Sequence, residues 1–316
     1  MLDAIIHITD LHFWSLTANP FRLLGKRAVG QLNVLFHRRR HFDHSGGAEL
    51  ISHLKEVGAP LLLITGDFTS TAMGEEFAQA AEFLAQVEQA GVKVALVPGN
   101  HDRYTFRSTR RRLLEGMLAP FCPKDGWPHL LRTRSGNPVL LLDEARPNPF
   151  SARGAVTERD LSTAAGLLEE LAREGRPLIA AGHYPLLTRT PLYSLRPGRR
   201  LRGAQRLRAL LAGYPAPVLY LYGHVHRSTF FRDHDQSRLF HLSTKPPFMR
   251  RHRGAAELAL THVGIAADGF EVHWHRRAAA TGWEIEEANA ATLADQHSYR
   301  LGGGRLACVA ANDPSR

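Results

Sequence analysis

The 316-residue chain has only two cysteines, Cys122 and Cys308. They are far apart and in no metal-type spacing, which argues against a disulfide framework and against a thiolate zinc site. No stretch approaches the roughly 20 consecutive apolar residues that span a bilayer, so an integral membrane protein is not expected. The start, MLDAIIHITD, lacks a basic lead-in and meets Asp3 before an apolar core can form, so no secretory leader is expected and the compartment read from it is the cytoplasm. Negative charge is also in short supply. Thirty Asp and Glu face 40 Lys and Arg, a net charge of +10, with Arg far outnumbering Lys. That imbalance favours anionic partners such as nucleic acid, phosphorylated metabolites or an acidic membrane surface, and does not choose among them. With 44% hydrophobic and 22% charged residues, the chain has the composition of a globular protein with a substantial core and not of a disordered one.

The apolar runs that are present are short and rich in Leu, Ile and Val. They predict buried strands at 4–8, 61–65, 92–97, 139–142, 178–181 and 218–222. Helical spacing of Phe77, Ala80, Ala81, Leu84 and Val87 predicts a helix over 74–90, stopped by Gly91. A second helix is predicted over 157–174, with Thr157 as N-cap and Asp160 three residues on. Alternating strands and helices give an α/β layered core. The stretches 239–243, 257–263 and 270–275 follow one another at short gaps, as an antiparallel sheet would. Residues 278–316, rich in Ala, Gly and polar groups, read as a loosely structured tail behind a single domain at 1–277.

The chemistry lies in the residues just past each strand. Asp10-Leu11-His12 comes after the first, Gly66-Asp67 after the second and Gly99-Asn100-His101-Asp102 after the third. Gly182-His183 and Gly223-His224-Val225-His226 come after the later two. Sites in open α/β sheets gather at the carboxyl ends of strands, so five such clusters can converge on one crevice. Imidazole and carboxylate without thiolate suit a pair of Mn, Fe, Zn, Ni or Co ions. A lone His at a strand end is usually an ordinary packed residue; five motifs in order after five strands are a specific signal.

The ordered set D-x-H, G-D, G-N-H-D, G-H and G-H-x-H resembles the calcineurin-like metallophosphoesterase superfamily, over residues 10–226. The resemblance implies a two-sheet α/β sandwich flanked by helices, with a dinuclear site at the sheet ends. It implies that Asp10, His12 and His226 hold one divalent ion and Asn100, His183 and His224 the other, with Asp67 bridging. Manganese is the leading candidate for the ions. It further implies a hydrolase in which a metal-bound hydroxide attacks phosphorus directly, while His101 meets a phosphate oxygen or protonates the leaving group and Asp102 orients His101. Arg103, next in the chain, is a candidate phosphate contact. His7 is expected to be a packed strand residue, and the Asp143-Glu144 pair to serve a loop or a helix cap.

The residues around the motifs must set the substrate. Segment 13–42 interleaves aromatic and aliphatic residues with Arg and Lys, and reads as a basic amphipathic insertion. Read helically, Phe21, Leu24, Ala28, Leu32 and Leu35 share one face, opposite Arg22, Lys26 and Asn33, with Gly25 and Gly30 weakening the helix. It could cap the substrate and face an anionic membrane, or pack its apolar face on the sandwich. Further basic clusters at 107–112, 196–202 and 250–253 could share the rim. The resemblance leans toward two bacterial branches: one cleaving cyclic nucleotides and related phosphodiesters, the other the pyrophosphate of UDP-2,3-diacylglucosamine. A lipid-tailed nucleotide suits the insertion better, with the protein peripheral to the inner face of the membrane. A 3',5'-cyclic nucleotide phosphodiesterase, a nuclease and a non-catalytic scaffold stay open, the scaffold disfavoured because no candidate ligand is missing. Oligomeric state is not readable.

Overall fold

The computed structural model describes residues 3–23, 25–188, 190, 193–236, 238–250, 257–278 and 282–288, together with the backbone of 298–302 and 305–309. In chain order its strands are β1 (Asp3–Ile8), β2 (Leu61–Ile64), β3 (Lys93–Leu96), β4 (His129–Arg132), β5 (Pro138–Leu141), β6 (Gly154–Ala155), β7 (Leu178–Ala181) and β8 (Leu201–Arg202). Next come β9 (Val218–Tyr222), β10 (Thr229–Arg232), β11 (Leu239–Ser243), β12 (Ala259–Ala266), β13 (Gly269–Ala278), β14 (Gly282–Ala288) and a terminal hairpin of β15 (Ser298–Gly302) and β16 (Arg305–Val309). The helices are α1 (Lys26–Asn33), α2 (Arg39–His41), α3 (Gly47–Val57), α4 (Gly74–Gln89), α5 (Phe106–Arg110), α6 (Leu113–Met117), α7 (Glu158–Ala172) and α8 (Ala204–Ala212).

Two mixed six-stranded sheets form the body, in the orders β14-β13-β12-β1-β2-β3 and β10-β11-β9-β7-β5-β4. The central strands are buried on both faces, which is why they read as unbroken apolar runs instead of alternating ones. Pleating divides their side chains between layers. Ile5, Leu61 and Leu63 of one sheet meet Val139, Ile179, Leu219 and Leu221 of the other in the core between the sheets. Ile6, Ile8, Leu62 and Ile64 point the opposite way, into a second core completed by Leu50 and Leu54 of α3 and by Phe77, Leu84 and Val87 of α4. On the far side, Leu168 and Leu171 of α7 and Leu207 and Leu211 of α8 cover Leu178, Val218 and Tyr220. The result is the expected α/β sandwich, flanked by helices.

Local signals explain the predicted helices. Thr157 accepts Asp160 N–H while the Asp160 carboxylate accepts Thr157 N–H, a closed capping box at the start of α7. Gly91, at φ +88°, turns the chain out of α4.

Three expectations are corrected. Strand 239–243 does not join 257–263 and 270–275: β11 pairs parallel to β9 in the second sheet, whereas β12 and β13 pair antiparallel in the first. Every residue of β11 is buried, which requires its interior place between β9 and β10. The reading of 278–316 as loosely structured fails over 282–288, where β14 pairs with β13 along its whole length. That pairing is held by the backbone ladder and by exposed cross-strand contacts such as Arg276–Glu286, so it left little apolar signal to read.

The third correction concerns segment 13–42. It is not one amphipathic helix from residue 21. A 3-10 turn at Pro20–Arg22 is followed by Gly25 at φ +66°, then α1, one π-helical turn at Val34–Arg38, and α2. The side turned to the body carries Gly30, Gln31 and Val34. A Cβ on Gly30 would lie 2.6 Å from the Tyr104 hydroxyl, so glycine there permits the close approach. Phe21 and Leu32, read as one apolar face with Leu24, Ala28 and Leu35, are 77% and 55% exposed. Leu24, the Arg22 side chain and Arg251–Arg253 of the last basic cluster lie outside the described residues.

Candidate metal centre

β1, β2 and β3 run parallel, as do β5, β7, β9 and β11, and the carboxyl ends of both groups open toward one crevice. The first two loops are zipped together by backbone bonds, Asp10 N–H to Gly66 O at 3.0 Å and His12 N–H to Asp67 O at 2.9 Å. All seven expected ligand residues meet there. His226 Nε2 lies 3.2 Å from Asp10 Oδ1 and 3.1 Å from His12 Nε2. His12 Nε2 is 3.7 Å from Asp67 Oδ2, which in turn is 3.5 Å from His183 Nε2. His183 Nε2 is 3.2 Å from Asn100 Oδ1 and 3.3 Å from His224 Nδ1. Asp67 therefore sits between the two groups.

The tautomers are set by carbonyls behind the rings. His183 Nδ1–H donates to Thr65 O at 2.7 Å, and His224 Nε2–H donates to Arg199 O at 3.0 Å. That leaves His183 Nε2 and His224 Nδ1 as bare lone pairs, aimed at each other and at the oxygens of Asp67 and Asn100. Imidazole lone pairs, a carboxylate and an amide oxygen gathered at one point are a donor set that a cation would occupy. Nitrogen and oxygen donors without thiolate fit two first-row divalent ions.

Five of the seven residues have the left-handed backbone conformation: Asp10, His12, Asp67, His224 and His226, at φ from +50° to +67°. For side-chain-bearing residues this costs about 1–3 kcal/mol each and persists only where the surroundings enforce it. Of the adjacent glycines Gly66, Gly99, Gly182 and Gly223, only Gly66 has positive φ. Gly99, Gly182 and Gly223 serve close approach: a Cβ would lie 2.2 Å from Asp67 Oδ1, 2.3 Å from the Tyr220 hydroxyl and 2.0 Å from Thr9 Oγ1, respectively.

Electrostatics reflect the burial of many ionisable groups together. Burial and the neighbouring Asp10 carboxylate push Asp67 up to about 8. Burial works in the same direction on Asp10, but His226, His183 and the Thr9 hydroxyl outweigh it and hold Asp10 below the ordinary carboxylate range. Burial first, then the charge of Arg38, keeps His12 and His101 well below the usual imidazole value. Burial and the neighbouring His183 do the same to His224.

Two expected roles change. Asp102 does not orient the His101 ring; His101 Nδ1–H donates instead to Ser70 O at 2.7 Å. The Asp102 carboxylate accepts Asp67 N–H and Gly99 N–H at 2.8 Å and Thr69 N–H at 3.0 Å, tying the second and third loops together. Arg103 is buried, and its guanidinium is held by Glu115 at 2.7 Å and Asp143 at 2.8 Å, so those carboxylates occupy the fork expected to meet a phosphate. His7 is a packed strand residue, bridging the hydroxyls of Thr65 and Thr244.

The sequence reading missed two residues of the site. Glu144, read as a loop or cap residue, is fully buried and accepts the N–H groups of His183 and Tyr184, 2.9 Å each. Arg38 reaches in from the π-helical turn, donating Nη1 to His12 Nδ1 at 2.8 Å and Nη2 to His101 Nε2 at 2.7 Å. Its only sequence signal was a place in the Arg-rich run 38–40.

Against known proteins, the sequence model of the calcineurin-like phosphoesterase family matches residues 4–228. No curated protein matches the chain. Among solved structures, a dimetal phosphatase from Danio rerio is similar, at a TM-score of 0.59 and 14% identity, over 92% of this chain and 99% of that one. A purple acid phosphatase, PPD1, from yellow lupin (Lupinus luteus) seeds aligns at a TM-score of 0.55 and 14% identity, over 91% of this chain and 53% of its own. At such identity the likeness speaks for the fold alone.

Proposed function

The chain belongs to the calcineurin-like phosphoesterase family and is a hydrolase of the metallophosphoesterase kind with a candidate dimetal site; on that premise we propose that it cleaves a phosphodiester or pyrophosphate bond in a nucleotide-linked lipid of the UDP-2,3-diacylglucosamine type. The observation that carries the reaction is the convergence of the Asp67 carboxylate, Asn100 Oδ1 and His224 Nδ1 on His183 Nε2. In this reading Asp10, His12 and His226 hold one ion, Asn100, His183 and His224 the other, and Asp67 both. The ions, Mn²⁺ first among the candidates, would supply Lewis acidity and an activated water.

The protein's own groups supply placement and proton control. Asp102 holds the Asp67 and Asn100 loops in register. His101, kept neutral by burial and Arg38, accepts Arg38 Nη2 at its Nε2 lone pair. An anionic phosphoryl group entering beside it favours the protonated ring, and Nε2–H then meets a phosphate or leaving-group oxygen.

The lean toward a lipid rests on the helical segment 26–41. While its inner side carries Gln31 and Arg38, Val29, Leu32 and Phe36 recur at helical spacing on the outside and are 68%, 55% and 54% exposed. His37, Arg39 and Arg40 are exposed beside them. Apolar and basic groups on one helical surface suit the boundary of an anionic membrane, here the inner face in our reading. No helix among the described residues is long and apolar enough to cross a membrane.

The test is turnover by metal-stripped protein resupplied with Mn²⁺, with and without anionic vesicles. The substrates are bis-p-nitrophenyl phosphate, a cyclic nucleotide, single-stranded DNA and UDP-diacylglucosamine. Mn²⁺-dependent turnover that favours the lipid nucleotide and responds to vesicles is expected. Preference for the cyclic nucleotide or DNA, indifferent to vesicles, would remove the lipid, and no turnover with any divalent ion would remove the hydrolase reading of the site.

A further inference from the structure

We propose that Arg38 is the residue that grips the substrate's phosphoryl group, and that the irregular helical segment 26–41 serves to carry it there. The inference rests on the dimetal reading of the site. Within that segment the π-helical turn Val34–Arg38 ends on Arg38, and such wide turns often mark functional positions. The guanidinium is partly buried and spans the gap between a candidate ligand, His12, and the residue facing the leaving group, His101.

Charge is the first argument. Arg38 forms no salt bridge among the described residues, in contrast to Arg103, which two carboxylates neutralise. Its two acceptors are neutral imidazoles. Two divalent ions next to it would bring four positive charges, and only Asp10 and Asp67 among the candidate ligands are carboxylates. A cation held against that excess, at low local dielectric, calls for an anion between them. A planar fork with parallel N–H groups matches two oxygens of one phosphoryl group.

Proton bookkeeping gives a second, independent argument. A neutral imidazole has one lone pair. When His12 spends it at Nε2 on a cation, its hydrogen resides on Nδ1, which also lies 3.3 Å from Thr69 O and can donate there. Nδ1 can then no longer accept from Arg38. Nη1 loses its partner when the centre is loaded, and a phosphoryl oxygen restores the bond. Loading the centre thereby turns Arg38 further toward substrate. Tyr104 braces the same corner, its ring stacked on that of His101 at 5.4 Å with the Lys26 ammonium 4.5 Å above it.

The test measures binding of inorganic phosphate by calorimetry, with Mn²⁺ affinity and stoichiometry measured alongside. The proteins are the wild type, Arg38→Ala, Arg38→Lys, Arg38→Gln, and Arg134→Ala as an exposed-arginine control. Loss of the fork is expected to weaken phosphate binding to the Mn²⁺-loaded protein by about tenfold to a hundredfold, what one or two charge-assisted hydrogen bonds contribute. Mn²⁺ binding stays within about threefold of wild type, Arg38→Lys falls in between, and Arg134→Ala matches wild type. Unchanged phosphate affinity in Arg38→Ala would overturn the proposal. So would a loss of Mn²⁺ affinity as large as the loss of phosphate affinity, which would make Arg38 a positioning residue for His12. Should Arg38→Ala not fold, Arg38→Gln decides by the same criteria. A wild type that takes up no Mn²⁺ would bring down the metal centre instead, and the phosphate affinities of the metal-free proteins would then judge Arg38 alone.

Discussion

Glu144 and His183 are joined by a bond between a buried carboxylate and a backbone N–H, 2.9 Å long, where two strands of the second sheet end side by side. The same carboxylate oxygen takes Tyr184 N–H at 2.9 Å, and the other meets the Tyr220 hydroxyl at 2.6 Å. Nothing larger than hydrogen fits at Gly182 next to it. Glu144 thus sets the direction in which the chain leaves β7, and with it where the His183 ring enters the site.

Glu144→Ala should therefore cost about 2–4 kcal/mol of stability in urea unfolding, because it orphans two buried N–H groups. Metal uptake should fall with it. Glu144→Gln should lose far less. Its amide oxygen can take both N–H groups and its NH₂ can donate to Tyr220, whose hydroxyl then turns to Tyr184 O, 2.9 Å away. Equal losses in the two variants would show that Glu144 acts through its charge and not through these bonds.

The seven candidate ligands could be read because each comes after an apolar run whose strand identity is itself legible. What escaped had no such anchor. Arg38 is one arginine in a basic run, and its aim depends on a π-helical turn that rotates it relative to an ideal helix. The sequence put Phe21 and Leu32 on one continuous helical face for want of that turn and of the break at Gly25. Glu144 was hidden because a buried carboxylate and a loop carboxylate are the same letter; only the donors around it tell them apart. Arg103 misled by its place in the chain, since Asp143 and Glu115, which claim it, are distant in sequence. β11 and β12 lie in different sheets although they are close in sequence, and gap length does not encode that.

The buried acids and imidazoles make opposite contributions to the pH dependence of the metal-free protein. Glu144 and Asp102 are pushed up to about 7 by burial, Asp102 also by the Asp67 charge, and Asp67 stands at about 8. Such groups add stability that is complete below the ordinary carboxylate range and is lost as pH rises through 7 to 8. Burial lowers His7 to about 3 and His275 to about 4, and depresses His12, His101, His224 and His241. Their contribution is complete above about 6.5 and is lost as pH falls. Metal-free protein should melt highest near pH 6.5, with a steep acid side and a shallower alkaline one. Mn²⁺ should raise the melting temperature most at pH 8, where the carboxylates are free to ligate. A melting temperature still climbing from pH 6.5 to 8 without metal would contradict the raised acids.

Val29, Leu32 and Phe36 hold the last prediction. They lie on the side of the helical segment opposite Gly30, Gln31 and Val34, so the chain that carries Arg38 inward also turns a small apolar strip outward. Half-burying three such side chains in a lipid boundary is worth about 2–4 kcal/mol. Replacing all three by Ser should lower co-sedimentation with anionic vesicles by at least about tenfold, while Mn²⁺ content stays that of the wild type, because the packed side of the helix is untouched. Binding should also weaken with added salt, through the screening of Arg39 and Arg40. Vesicle binding that survives the triple replacement would detach the exposed strip from the lipid reading and leave the reaction chemistry standing without it.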